Sequence, residues 1–160
     1  MSDWYAVIDT AQDERLYALV QQCARRRCLL SGELAPVLAA ASPWLVAIDE
    51  GEPLLGIWRR HGAGRSWGIL IESAHGLDGL RKHLRRFLQA MLPDGTVALF
   101  RFFDPRVFAT YLPAAPGEQQ AQWFDGVAQF AVEGQDGASH SFRWRQGQLF
   151  DADRAVGAGG

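Results

Sequence analysis

An almost uninterrupted apolar run in the second half of the chain is followed directly by a helix-start signal. Residues 96–103 have the composition of a strand that is buried on both faces, so we predict a central strand there. Asp104 has the side chain of a helix cap, and Pro105 suits the first helical position. A helix is therefore predicted over residues 107–112, closed by Pro113. This strand-to-helix segment requires a sheet with helices packed against it.

Short apolar runs and helical periodicities predict the remaining elements. Strands are expected at residues 4–8, 44–48 and 66–72, and a hairpin at 127–133 and 140–144 around the turn signal at 134–137. Helices are expected at 12–28, 33–41 and 77–91, whereas 54–60 could form either a helix or a strand. The polar stretch 114–122 is expected to be an exposed connector.

These elements predict an α/β (mixed α+β) fold with one domain over residues 1–150 and a flexible tail over 151–160. The expected core is a mixed sheet of about five to six strands, with helices packed on it and a C-terminal β-hairpin. A chain of 160 residues is the size of one domain and should bury about 70% of its unfolded surface.

The composition excludes several classes of partner. A formal net charge of −2 gives no net attraction to nucleic acid or to an anionic membrane. No window approaches 18 uninterrupted apolar residues and the N-terminal residues lack a signal-peptide pattern, so we expect a soluble cytoplasmic protein. Cys23 and Cys28 lack the spacing of zinc ligands, and we expect free thiols in a reducing compartment.

Candidate catalytic groups are sparse. Neither a Gly-rich phosphate loop nor the nucleophile elbow of hydrolases is present. His75 and His83 have no third metal ligand at a recognisable spacing, so neither a metal nor a cofactor is expected. Asp9 and Asp104, with Glu72, could form an acid–base site at strand ends. Helix capping explains both aspartates without catalysis, and we expect no enzymatic activity.

Arginine and tryptophan are the residue types that favour a binding function, because they anchor protein interfaces most often. Lys82 is the only lysine among 16 basic residues, and arginine suits interfaces through its planar, bidentate pairing. Five of the six tryptophans are candidates for this role: Trp44, Trp58, Trp67, Trp123 and Trp144. Each observation has an alternative explanation. Codon usage could account for the preference for arginine, a solvated helix face for the arginine-rich helix, and ordinary core packing for the tryptophans.

Four arginines are expected to gather around Asp104, where the basic helix passes the predicted buried strand. They are Arg85, Arg86, Arg101 and Arg106. Some of these guanidinium groups would brace the fold through the Asp104 carboxylate, and others would face a partner.

A series of motifs then resembles a known family. In chain order it comprises Tyr5-Ala-Val-Ile-Asp9, Pro43-Trp-Leu-Val46, Trp67-Gly-Ile69, His83-Leu-Arg-Arg-Phe-Leu88, Leu99-Phe-Arg-Phe-Phe-Asp-Pro-Arg-Val-Phe108, Leu112-Pro113 and Trp123-Phe-Asp-Gly126 leading into Phe130. With these motifs the chain resembles the type VI secretion effector adaptor/chaperone family, long catalogued as a domain of unknown function and encoded beside an effector and a VgrG spike protein.

The resemblance implies a non-catalytic cytoplasmic protein that binds an effector toxin, stabilises it and helps load it onto the VgrG spike. From the charge balance we expect no nucleic-acid or membrane partner. The residues that the resemblance marks as protein-binding or family-motif positions are Arg85, Arg86, Arg101, Asp104, Arg106, Trp67 and Trp123. Many members carry a longer C-terminal lobe, which we expect to be short or absent here. A cytoplasmic immunity protein, or a small hydrolase using Asp9 and Asp104, are the alternatives.

Overall fold

Strand β1, Asp3–Asp9, lies inside the large sheet and is buried from Tyr5 onward. The computed structural model describes residues 2–30, 36–134 and 137–156. Over this part of the chain the other strands are β2 Arg26–Cys28, β3 Pro43–Ala47, β4 Gly68–Ser73, β5 Gln89–Met91, β6 Val97–Leu99, β7 Val127–Glu133, β8 Ser139–Arg145, β9 Gln148–Asp151 and β10 Arg154–Val156. The helices are α1 Leu16–Gln21, α2 Pro36–Ala39, α3 Leu54–Ile57, α4 Leu77–Arg85, α5 Pro105–Ala114 and α6 Gly117–Trp123, and a π-helical turn, Trp58–Gly62, continues α3.

Eight strands form the large sheet in the order β10-β9-β8-β7-β4-β1-β3-β2. Every described neighbour pair in it is antiparallel, for example Val7 opposite Leu45 on one side and Ile69 on the other. The expected mixed sheet of five to six strands was therefore wrong in strand number and in direction. Three of the strands, β2, β9 and β10, have only three or four residues, too few for their own pattern to reveal a strand.

Helices cover the sheet on two sides because successive residues of a strand point to opposite faces. Tyr5 and Val7 of β1 contribute to the larger core, which is completed by apolar residues of α4, α5 and α6. Ala6 and Ile8 contribute to a second core, completed by residues of α1 and α3. The predicted strands at 4–8, 44–48 and 66–72 are confirmed as β1, β3 and β4 within a residue or two at their ends.

The predicted central strand at 96–103 was wrong. Only Val97–Leu99 is a strand, and it pairs with β5 in a separate two-stranded sheet. Phe102 and Phe103 are fully buried, but they enter the larger core from a turn before α5. A continuous apolar run indicates burial, and here tertiary packing achieves that burial without a strand.

The helices also differ from the expectations in their lengths. The predicted helix 12–28 is only Leu16–Gln21, and Cys28 lies in β2 rather than in that helix. The predicted helix 77–91 ends at Arg85, and residues from Gln89 onward turn back as β5. The ambiguous segment 54–60 is helical.

The expected exposed connector at 114–122 was wrong, because it contains α6 and a buried Gln120. The Gln120 side-chain amide donates to the Leu112 carbonyl at 3.0 Å, which fixes α6 against the end of α5. A polar composition concealed this helix because one of its polar side chains is satisfied inside the core.

The C-terminal hairpin is confirmed as β7 and β8, with Phe130 opposite Phe142. It continues as a meander through β9 and β10, so residues 154–156 of the predicted tail pair with β9. The remainder of that tail, 157–160, lies outside the described residues, as do 33–35 of the predicted helix 33–41 and 135–136 of the predicted turn. In the described ranges no helix is long and apolar enough to cross a membrane.

Candidate protein-binding surface

Asp104 caps helix α5, as predicted, and also holds Arg106. Its Oδ1 accepts from the Arg106 backbone N–H and from Nε, each at 3.0 Å, while Oδ2 accepts from Nη2 at 2.7 Å. Burial of this carboxyl would raise its pKa, but the Arg106 hydrogen bonds and charge, together with the Arg101 charge, hold the pKa below its usual value. Asp104 is therefore a structural anion.

Asp9 is 1% exposed and is satisfied in a similar way at the end of β1. Its carboxylate accepts from the Ala11 backbone N–H at 3.1 Å, from the Gln12 side-chain amide at 2.9 Å, and from the guanidinium of Arg101. Asp9 thus stabilises a turn rather than the start of α1, which begins later at Leu16. The Arg101–Asp9 pair ties the segment after β6 to the large sheet.

The expected arginine cluster forms only in part. Arg101 and Arg106 both act on Asp104 electrostatically, but each is paired with its own aspartate. Arg85 and Arg86 make no hydrogen bond or ion pair with Asp104 in the described ranges. Arg85 ends helix α4 and is half-buried, and Arg86 is exposed.

Trp123 is a packing residue, since it is almost completely buried at the centre of an aromatic cluster. Its ring stacks on Phe87 with centroids 3.8 Å apart, and its Nε1 donates to the Tyr111 hydroxyl at 3.3 Å. Trp67 is also buried, and its carbonyl accepts from the Asp9 backbone N–H at 2.8 Å. Both tryptophans support the fold and expose little surface to a partner.

A feature that sequence reasoning missed is the hairpin formed by β5 and β6. Met91 is 78% exposed, Val97 58% and Leu99 45%, a concentration of exposed apolar surface on a short element. Asp94 shapes its turn by accepting from the Thr96 backbone N–H at 2.9 Å. The sequence Pro-Asp-Gly at 93–95 fits the end of a helix, but apolar residues on both sides of it fit a hairpin equally well.

The hairpin has one free apolar face. Leu88 accepts from the backbone N–H of Phe100, and these two residues pack toward the larger core. In the register of the hairpin, Met91 is directly opposite Val97, and Gln89 is opposite Leu99. Because side chains alternate along a strand, these four residues share the side that faces away from the core. We call Gln89, Met91, Val97 and Leu99 the hairpin face.

Other candidate sites are structural. His75 and His83 stack with centroids 5.4 Å apart, and their Nε2 atoms donate to the Asp125 and Trp123 carbonyls at 2.8 and 3.0 Å. Within the described residues no group of three or more metal-ligating side chains occurs. Cys23 and Cys28 are free, as predicted, and burial, reinforced by Glu52, raises the pKa of the Cys23 thiol to about 12. That thiol is therefore unreactive near neutral pH.

The family relationship follows from comparison with known proteins. A family model described as a domain of unknown function (DUF4123) matches residues 4–122. The chain belongs to this family. The match runs from β1 into α6, so this DUF4123 chain has its hairpin and its Asp104 cap inside the family domain, and β7–β10 beyond the match. Comparisons with curated proteins and with solved structures gave no match.

Proposed function

We propose that this DUF4123 protein is a non-catalytic adaptor/chaperone that binds a type VI secretion effector, stabilises it and helps load it onto the VgrG spike. The observation that carries the proposal is the hairpin face, with Met91, Val97 and Leu99 exposed. Every phenylalanine, tyrosine and tryptophan in the described ranges is buried or half-buried, whereas these three aliphatic side chains are exposed. Their exposure adds nothing to the stability of the chain itself, but a binding protein needs such an adhesive patch.

The environment of the aspartates favours binding over hydrolysis. A general acid needs a carboxyl group that holds its proton near neutral pH, usually through burial without a cation. Asp104 has the opposite environment, because the guanidinium of Arg106 lowers its pKa. Asp9 is likewise occupied by Arg101 and by two further donors. Neither carboxylate is left free to act on a substrate.

The direct test is co-purification from the native cell. The tagged wild-type protein should bring down a neighbouring effector in a stoichiometric complex, and deletion of this protein should lower effector abundance and secretion. The double variant Met91→Gln/Val97→Gln should lose the effector, because two polar side chains replace the exposed apolar pair. Its matched control is Val37→Gln/Leu38→Gln, which alters two equally exposed apolar residues on α2.

Two results would reject the adaptor role. One is normal accumulation and secretion of the effector in the deletion strain. The other is a deletion strain that becomes sensitive to its sibling cells while the effector is secreted normally, which would favour the immunity protein. Loss of effector binding in both double variants would indicate that the hairpin face has no special part in it.

A further inference from the structure

The hairpin face is the free side of a two-stranded sheet. In the described part of the chain β5 and β6 pair only with each other. Each strand has three residues, so its outer edge offers few groups to an added strand. A strand added at that edge would extend the sheet sideways and leave Met91 and Val97 uncovered. The geometry of the face therefore calls for an element that packs across it, and an amphipathic helix is the element that packs on a sheet face.

A second copy of this chain has no such helix to offer. Helices α4 and α5 direct their apolar residues into the larger core, and Leu84 and Leu112 are fully buried. Helix α2 exposes Val37 and Leu38, but its described length is a single turn of four residues. Among the described elements none has an unpartnered apolar stripe of the length needed, so the helix belongs to a different protein.

The charges around the hairpin indicate the chemistry of that helix. Arg101 and Arg106, which follow β6, are neutralised by Asp9 and Asp104. Arg85 and Arg86, which precede β5, form no ion pair with a carboxylate of the described residues. The base of the hairpin is thus positively charged. An exposed carboxylate, Asp94, lies at the opposite end, in the turn.

We propose that the hairpin face receives an acidic amphipathic helix of the partner protein. Its apolar stripe would pack on Met91, Val97 and Leu99, and its carboxylates would pair with Arg85 and Arg86 at the base of the hairpin. This inference rests on the proposed function, because it specifies the partner segment that an adaptor would hold. The carboxylates give orientation and discrimination between partners, and the apolar contact gives most of the affinity.

Three synthetic 18-residue peptides test the partner chemistry on the full chain. The first has a leucine stripe flanked by glutamates. The second has lysine at every glutamate position, and the third is the glutamate peptide with two central prolines that prevent a helix. Fluorescence anisotropy at low salt should show the glutamate peptide binding roughly ten-fold more tightly than the lysine peptide. In the lysine peptide, repulsion from Arg85 and Arg86 replaces the two ion pairs that these arginines form with glutamates. The proline peptide should bind at least ten-fold more weakly than its parent.

Variants of the chain locate the contact. Arg85→Gln/Arg86→Gln should reduce the preference for glutamate over lysine to less than about two-fold, and Met91→Gln/Val97→Gln should abolish binding of all peptides. The control Val37→Gln/Leu38→Gln should bind like the wild type. Urea unfolding of each variant verifies that the fold is retained, which we expect because five of the six side chains are exposed and Arg85 is only half-buried.

Several results would overturn the inference. They are equal binding of the glutamate and lysine peptides, equal binding of the proline peptide, or a concentration-dependent dimer in light scattering that Met91→Gln/Val97→Gln dissolves. An effector complex that requires Met91 and Val97 but not Arg85 and Arg86 would reject the acidic helix while leaving the adaptor role intact. Absence of any effector complex would reject the adaptor role itself, whatever the peptides do.

Discussion

Asp104 performs two structural tasks with one carboxylate, capping α5 and holding Arg106 in a bidentate pair. The cap was predictable because Asp followed by Pro is a local signal for a helix start. The bidentate pair between Asp104 and Arg106 was not predictable, because it forms only when the capped backbone brings the Arg106 guanidinium onto the carboxylate.

Replacement of Asp104 should separate these two tasks. Asp104→Ala removes both and should lower the free energy of unfolding by about 1–2 kcal/mol, most of it from the cap. Asp104→Asn keeps a capping oxygen and should cost less than about 1 kcal/mol. Urea denaturation at pH 7 measures both. Equal losses in the two variants would mean that the charge, rather than the cap, carries the stability.

The same carboxylate should make stability depend on acidity. Its pKa is lowered in the folded state, so its contribution is complete above the unfolded value of about 4 and is lost as the pH falls through the folded value. Wild-type urea midpoints should therefore drop more steeply than those of Asp104→Asn below about pH 4. Parallel curves for the two proteins would contradict this assignment.

Gly126 is a second residue whose role follows from its surroundings. It has φ of +73°, and a Cβ there would lie 2.3 Å from Nε2 of His75. Gly147 has the same φ of +73° with nothing within 4 Å of such a Cβ, so it is a matched control. Gly147→Ala should cost about 1–2 kcal/mol for the left-handed backbone alone.

Gly126→Ala should cost about 1 kcal/mol more than Gly147→Ala, because His75 must move and lose its hydrogen bond to the Asp125 carbonyl. Thermal and urea unfolding of the two variants give the difference. If the two losses are equal, the histidine is free to move and its bond contributes nothing measurable.

At the scale of elements, the turn between α6 and β7 is held by two histidines, His75 just before α4 and His83 in the last turn of α4. His75 donates to the Asp125 carbonyl, and His83 donates to the Trp123 carbonyl. Burial lowers the pKa of His83, and the His75 and Arg86 charges lower it further, against the opposing effect of the Trp123 carbonyl and Asp125. The folded protein therefore favours the neutral form of the His83 imidazole.

Acidification should weaken this turn. Because the folded pKa of His83 lies below its unfolded value of about 6.5, its contribution is complete above that pH and is lost as the pH falls through the folded value. Hydrogen exchange of the backbone amides in 123–127 should accelerate as the pH is lowered from 7.5 to 5, after correction for the intrinsic rate. The variant His83→Gln keeps a hydrogen-bond donor that does not titrate, so its exchange rates should depend less on pH. An unchanged slope in that variant would assign the effect to another group.

The hairpin formed by β5 and β6 shows what pattern alone could not resolve among the elements. The apolar residues of 77–91 continue at helical spacing beyond the true end of α4, so periodicity extended the helix through Met91. The register that places Met91 opposite Val97 is set by backbone pairing across a turn. The candidate site therefore emerged only with the tertiary structure, whereas Arg85 and Arg86 were already candidates.

At the scale of the whole molecule, the family match and the core have different extents. The match ends at residue 122, yet Phe130, Phe142 and Leu149 of β7, β8 and β9 are buried in the larger core with Phe108. The core thus spans both sides of the family boundary, and we expect the C-terminal meander to belong to the same folding unit.

Truncation tests that unity. A chain ending at Asp125 loses the whole meander and should show no cooperative thermal transition, because large aromatic residues on α5 and α6 lose their partners. A chain ending at Asp153 loses β10, whose side chains are exposed or half-buried, and should still unfold cooperatively at a slightly lower temperature. Cooperative unfolding of the shorter chain would show that the core is complete without β7–β9.

The sequence by itself determined the α+β character of the chain, strands β1, β3 and β4, the β7–β8 hairpin, and the Asp104 cap. These features depend on residues close in the chain, through alternation, turn chemistry and capping. Only the tertiary structure decided the antiparallel eight-stranded order, the burial of Phe102 and Phe103 outside any strand, and the pairing of Arg101 with Asp9. The tertiary structure also decided which apolar residues stay exposed, because exposure depends on which parts of the chain pack against a residue. Among the described elements, Met91, Val97 and Leu99 of the hairpin face belong to neither hydrophobic core and remain exposed.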